Sequence, residues 1–417
     1  MTKDHEVLRR LAGQYMEIAT DPLMEERKEL WRNYMSMKST RPPVSTLFGH
    51  WSAFMEGFLN LPEHRECEDL HRYKIERELK IRMYRNELEA DSVFKPYFTL
   101  RAVTTPRSDE ELMGIKFKKT GTYGKGHGYH VDCVIENLEQ ARSLNPGTFE
   151  IDEYATADFV EDIDKAFHGI LEIDVDKGPF LTGFSGDCSY HYMNLRGLEK
   201  MMTDPYLEPE IHATLMTFLQ QRTLADHKKA EKEDRVTPSG LIEIQGEGYC
   251  NDLPDPVPNA SGKKLKDCWF FGASQELTSV GPDHFDEYMV QYQLPILAQF
   301  GLVHYGCCEN LSNKIDVLRQ IPNLRRIAVT PAADIDSAIE QIGNDYLISW
   351  RPNPGISVAV GYDIEQTRKY LVENLSKLKG SKFDIAWKDI ENDCGNPYNL
   401  KNSIIATRLA LDDIGLS

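Results

Sequence analysis

The 417-residue sequence is short of several features, and each shortage excludes a class of protein. Its eight cysteines, at 67, 133, 188, 250, 268, 307, 308 and 394, are few and irregularly spaced, which argues against a disulfide framework. No CxxC pair occurs, which removes zinc ribbons and thioredoxin-like chemistry. No run approaches the roughly 18 apolar residues of a membrane helix. The opening "MTKDHEVLRRLAGQYM" carries charge where a signal peptide needs an apolar stretch, so a cytoplasmic protein with reduced thiols is expected. Positive charge is also scarce. With 66 acidic and 48 basic residues the formal charge is −18, which disfavours nucleic acid or an anionic membrane as a partner. Finally, there is no GxGxxG after a first strand and no phosphate-loop spacing. The glycine-rich "GTYGKGHGYH" (121–130) therefore reads as a substrate loop or a plain hairpin rather than a nucleotide site.

What is present is a regular alternation of strands and helices. Residues 4–40 have helical spacing, and "CEDLHRYKIERELKIRMYRNELEA" reads as one amphipathic helix. From about 265 the chain runs strand "DCWFFGAS", helix "GPDHFDEYMVQYQLPILAQFG", strand "LVHYG", helix "NKIDVLRQI" and strand "LRRIAVTP". Helix "DIDSAIEQIG", strand "DYLISWRPNPG", helix "DIEQTRKYLVENLSKLKG", strand "KFDIAWKD" and a last helix from about 397 complete it. Such alternation implies parallel strands joined by helical crossovers. Three further strands are assigned to "PPVSTLFG", to a segment near 147–160, and to "GPFLTGFSG" (178–186), with a helical hairpin over 195–234. The expected fold is an α/β (β/α)8 TIM barrel over 41–417. An N-terminal helical extension (1–40) precedes it, and a charged insertion lies around 62–150.

A barrel places its chemistry at the C-terminal ends of its strands. Those ends hold His304, Cys307, Cys308, Glu309 and Cys394, a set able to hold zinc with one position open. A lone cysteine nucleophile with His304 as base is the alternative, and small turn residues beside a buried histidine are the bland one. A disulfide between adjacent Cys307 and Cys308 would be strained. Arg351 is placed to pin a carboxylate, and Trp350 and Trp387 to wall an apolar substrate. Tyr305, Asn353, Lys388 and His191 join the substrate set, and Glu309, Glu276 and Asp389 are the candidate acids.

The blocks "WFFGASQELTSVGPDHFDEYMVQYQLPILAQFGLVHYGCCENL", "IPNLRRIAVTPAADIDSAIEQIGNDYLISWRPNPG" and "FDIAWKDIENDCGNP" resemble the uroporphyrinogen decarboxylase-like superfamily. The resemblance spans most of 25–417. "RPPVSTLFGHW" (41–51) keeps the prolines but little else of the arginine-rich decarboxylase motif RxPxWxMRQAGR, so the resemblance points to the corrinoid-dependent methyltransferase branch. That branch implies zinc bound through His-x-Cys and a distant Cys. The matching places here are His304, then Cys307 or Cys308, and Cys394, with the first cysteine displaced by one or two residues. No DxHxxG motif occurs, so the corrinoid (cobalamin) would arrive on a partner protein. The expected activity is methyl transfer between a small methylated ether, amine or thioether and that partner. The alternatives are a cofactor-independent decarboxylase or lyase and a non-catalytic tetrapyrrole-binding barrel. A homodimer is compatible with the sequence.

Overall fold

The structure is a computed structural model that describes residues 1–47, 64–121, 129–178, 187–237, 245–359, 361–390, 396 and 398–417. Six parallel strands form one sheet: β1 (Val44–Leu47), β4 (Trp269–Gly272), β5 (Leu302–Tyr305), β6 (Leu324–Val329), β7 (Leu347–Trp350) and β8 (Phe383–Lys388). Their order is β1-β8-β7-β6-β5-β4, with every described ladder parallel. Two more parallel strands, β2 (Tyr97–Arg101) and β3 (Glu172–Asp176), pair with each other. The closed eight-stranded barrel expected from the sequence is therefore corrected to a curled sheet of six with a separate pair. No ladder joins β1 to β2 or β3 to β4 among the described residues.

Side chains and irregular backbone span the first of these gaps. The Asp91 amide donates to the Val44 carbonyl at 2.7 Å, and its carboxylate accepts the Val44 amide at 2.8 Å. Glu247 accepts the Val93 amide at 3.0 Å. The strand expected near 147–160 is also corrected: Glu153–Phe167 is a helix, started by Asp152, whose side chain accepts the Ala155 amide. Only Glu150–Ile151 is extended there, in a two-residue antiparallel pair with Thr104–Thr105. The stretch 179–186, expected as a strand, lies outside the described residues. So does the middle of the glycine-rich stretch, whose flanks Lys119–Gly121 and Tyr129–Val131 pair antiparallel.

The elements from 265 onward follow their apolar spacing. Helices Ile335–Ile342, Ile364–Leu378 and Asn399–Asp413 cover the outer face of the sheet. The helix after β4 contains a π-helical turn, Asp286–Val290, and the one after β5 shrinks to Ile315–Leu318. The hairpin over 195–234 is present as Leu198–Leu207 and Pro209–Lys232. Near the N-terminus, α1 (Lys3–Ala19) packs its buried Leu8, Leu11 and Tyr15 into a cluster with Leu79, Phe98 and Phe167. No described helix is long and apolar enough to cross a membrane.

Strand alternation decides what each face does, because successive side chains point to opposite sides. Phe270, Val303, Tyr305, Ile327, Ile348, Trp350, Ile385 and Trp387 pack outward into one apolar core with the helices. Their neighbours Phe271, His304, Arg326, Ser349, Arg351, Asp384 and Lys388 point to the inner face and are buried there too. That buried inner face is polar. At its floor Arg326 and Asp384, both fully buried, form an ion pair with contacts of 2.6 and 2.9 Å. Ser349 Oγ and the Gln245 carbonyl accept from the same guanidinium. Tyr34, from the helix Leu23–Met35, donates to Asp384 at 2.7 Å and closes the floor.

Candidate functional site

The strand ends gather a sulfur-bearing cluster. After β5 the chain turns through Gly306, whose φ of +103° and crowding against Leu311 Cδ1 (2.7 Å) and Ala328 Cβ (2.9 Å) leave no room for a Cβ. That turn delivers Cys307 into the interior, 4% exposed, with its sulfur 2.7 Å from Lys388 Nζ. Cys308 is exposed, its thiol lying between Cys307 Sγ (3.5 Å) and Asp389 Oδ2 (3.2 Å). Both cysteines are free thiols. The Cys308 hydrogen bond, with Lys388 and Arg351 nearby, draws the Cys307 thiol down to about 6 against the opposing effect of burial. The same contact, with burial, pushes the Cys308 thiol up. Asp389 follows β8 in a left-handed conformation, φ 61°, which turns the chain at the rim.

Glu309 holds this turn in place. Its two carboxylate oxygens accept the amides of Ser274 (2.9 Å) and Cys307 (2.7 Å), tying the end of β4 to the end of β5. Both oxygens are thus occupied by backbone donors.

His304 lies deeper and is fully buried, its ring stacked on Phe271 at 5.8 Å. Its Nε2 donates to the Gly306 carbonyl at 3.0 Å, leaving the lone pair on Nδ1, which has no partner among the described residues. Burial and the charges of Arg326 and Arg351 push the imidazole well below its ordinary range, so it is neutral. Arg351 is 3.5 Å from that Nε2 and donates to Gln245 Oε1 at 2.6 Å. Its Nε and Nη1 are buried and unfilled.

A second group of acids sits beside this cluster. Asp187, N-cap of the helix Cys188–Arg196, and Glu276 both contact the Ser189 hydroxyl, at 2.5 and 2.6 Å. A serine has one hydroxyl hydrogen and can donate to only one of them. The other contact requires a carboxyl O–H, so one proton is held between the two acids. The electrostatics agree. Burial first, then Glu276, holds Asp187 well above the usual carboxylate range, and burial and Glu309 raise Glu276.

The remaining expected site residues that the structure describes lie apart from the sulfur cluster. Trp350 and Trp387 precede Arg351 and Lys388, so alternation turns them into the helix layer. Trp350 stacks with Tyr370 at 6.3 Å, and Trp387 donates to Thr407 Oγ1 at 3.0 Å. Tyr305 likewise turns outward, donating to Gln293 at 2.7 Å and sharing a hydrogen bond with Ser274 at 2.9 Å. Trp350 and Trp387, expected as walls, and Tyr305, expected in the substrate set, thus sit in packing positions in the helix layer. Asn353 is exposed and caps the turn Pro354–Ile356. His191 lines a separate cavity described below. Cys394 lies outside the described residues.

Sequence reasoning missed Asp187, Ser189 and Gln245. The first two lie inside the strand-end segment "FSGDCSYHY", where Asp187 followed by "CSYHYMNLR" carries a helix-cap signal.

The donor set can be tested against zinc. The described residues supply two sulfurs, and no three His, Cys, Asp or Glu side chains among them gather to hold a metal. Arg326, Arg351 and Lys388 surround His304 with positive charge, an environment that disfavours a further cation at its Nδ1. The described part of the rim does not by itself make a metal centre.

No family model matches the sequence, and no curated protein matches it. Among solved structures the chain is similar to a methyltransferase from Methanosarcina mazei, at 12% identity and a TM-score of 0.49, over 93% of this chain and 99% of that one.

Proposed function

We propose that this protein is a methyltransferase that moves a methyl group between a small methylated ether, amine or thioether and a corrinoid carried by a separate protein. The observation that carries the reading is the contact of Lys388 with Cys307, 2.7 Å, beside a second thiol at the end of β5. A thiolate at such a place can hold a thiophilic Lewis acid, and the Cys308 hydrogen bond together with the Lys388 ammonium keeps the buried Cys307 sulfur charged. The sequence resemblance supports the same activity.

Zinc held by Cys307, Cys308 and Cys394 would supply Lewis acidity toward the methylated heteroatom. The chain's own residues do the rest. Glu309 fixes the sulfur turn through two backbone amides, and Lys388 orients the Cys307 sulfur. The proton held by Asp187, Ser189 and Glu276 goes to the leaving heteroatom. A reduced corrinoid on the partner would supply the electron pair that takes the methyl group, and the proton from Glu276 would go out with the heteroatom as its bond to carbon breaks. Glu276 is the proton donor in this scheme, because Glu309 has both oxygens engaged by amides.

The test combines cob(I)alamin with methoxy, methylamine and methylthio donors and follows methylcobalamin, alongside elemental analysis of wild type and Cys394→Ala. Methylcobalamin from at least one donor class is expected, as is zinc lost from the variant. Zinc-replete protein that forms no methylcobalamin from any of the three would sink the proposal.

One observation favours a second reading. The buried, unfilled Nε and Nη1 of Arg351 suit a substrate carboxylate, as a cofactor-independent decarboxylase would require. That activity would survive chelation, whereas zinc-dependent methyl transfer would not.

A further inference from the structure

A cavity of about 460 Å³ opens where β2 and β3 end, between the Thr104–Thr105 and Glu150–Ile151 pair and the helices Cys188–Arg196 and Pro209–Lys232. Its size falls within the range of small-molecule sites. In a chain of formal charge −18 its lining is strongly basic: Arg101, Arg107, Lys177, Arg222 and Arg235 against Asp109 and Asp226. Three of these cations have counter-ions: Lys177 with Glu153, Arg222 with Asp109 and Arg235 with Glu233. Arg101, at the end of β2, and Arg107 have no ion pair among the described residues. Arg101 acts on Asp109 and Asp176 through space, so the charge of the hollow is met in part by the protein's own carboxylates, and Arg107 adds to its basic side.

Two of the guanidinium groups are built in rather than laid on the surface. The side chains of Arg222 and Arg235 are 8% and 9% exposed, and each keeps a buried Nε–H with no partner. An unfilled buried donor costs about 1–3 kcal/mol, more for a charged group, and an oxyanion bound in the cavity would remove that cost. Guanidinium forks match carboxylate and phosphate oxygens in pairs. Phe149, Ile151 and Leu219 add an apolar side, with the Arg222 guanidinium over the Phe149 ring at 5.8 Å.

We propose that this cavity is a binding site for a small organic molecule bearing a multiply charged oxyanion, either a phosphate group or a pair of carboxylates. The anionic end meets the arginines, and the apolar body lies against Phe149 and Leu219. The site is independent of the methyl-transfer reading. Among the described residues the helix Cys188–Arg196 links it to the acids beside the sulfur cluster, turning Ser189 toward Glu276 and His191 into the cavity.

Isothermal titration calorimetry on the full chain tests this, with inorganic pyrophosphate and citrate as probes and sodium chloride at matched ionic strength as control. One site per chain is expected for at least one probe. Saturation by pyrophosphate alone assigns a phosphate ligand, and by citrate alone a polycarboxylate. Arg101→Ala with Arg107→Ala should weaken binding about tenfold or more, and Arg222→Gln by a similar factor. Circular dichroism of the double variant should match wild type, since Arg101 is exposed. Lys388→Met should bind the anion as wild type does. The proposal is overturned if neither probe binds beyond the chloride control, if the arginine variants bind unchanged, or if Lys388→Met abolishes binding.

Discussion

The floor and the rim of the inner face are made by the same strands yet solve the burial of charge in opposite ways. At the floor, Arg326 finds Asp384, Ser349 and the Gln245 carbonyl, and Tyr34 caps Asp384. At the rim, Arg351 keeps two unfilled donors and His304 an unfilled nitrogen, and the charge of Lys388 is met by a sulfur. A saturated network fixes a structure, whereas unfilled buried groups cost stability unless a ligand completes them. The contrast teaches that polar burial inside this sheet is structural on one level and chemical on the next.

The contrast can be broken from either side. The largest effect is expected at the floor. Asp384→Ala strands a fully buried arginine and should destabilise the protein by about 3–5 kcal/mol, read from the urea midpoint. At the rim, Lys388→Met should slow methyl transfer by about 10²-fold while shifting stability by less than about 1 kcal/mol. The far-ultraviolet absorption of the Cys307 thiolate should then appear at higher pH than in the wild type, where Cys308, Lys388 and Arg351 together draw the thiol down. A smaller effect is expected for the acids around Ser189. Their raised folded-state values mean that the native protein keeps a proton after the unfolded chain has released it. Stability contributed there is full below the ordinary carboxylate range and is lost as pH rises toward the raised values. Glu276→Gln should therefore gain on wild type between pH 4 and pH 8 in thermal unfolding, and an unchanged difference across that window would count against the shared proton. Smallest is Tyr305→Phe, which loses an outward hydrogen bond to Gln293. It should cost about 1 kcal/mol and leave methyl-transfer rates within about twofold, as a packing position should.

Much of the fold was legible because the second half of the chain repeats one pattern. Each strand there is a short apolar run ending in glycine, proline or charge, followed by helical spacing. The first half hid its strands for a physical reason. "EIDVD" places Asp174 and Asp176 at buried positions, where Asp174 is met by Thr99 and Asn259, so β3 reads as a polar loop until its partners are known. β2 was hidden in the same way, as the short "YFTLR" between charged segments. At the site, the glycine turn and the sulfur pair were visible in "HYGCCE". The partner of Cys307 was not, because Lys388 lies 81 residues away. The tryptophans misled because a residue next to a site in sequence is on the wrong face of a strand by alternation. Asp187 and Ser189 were hidden by their distance from Glu276, which only the packing of the helix Cys188–Arg196 removes.

The claim that chemistry occurs at the Cys307–Lys388 contact is tested most directly by single-turnover transfer from a deuterium-labelled methyl donor to cob(I)alamin, comparing wild type with Cys307→Ala. The account predicts labelled methylcobalamin from wild type and a rate lower by about 10² or more from a variant that unfolds at the same urea concentration. Equal rates from the two proteins would contradict it.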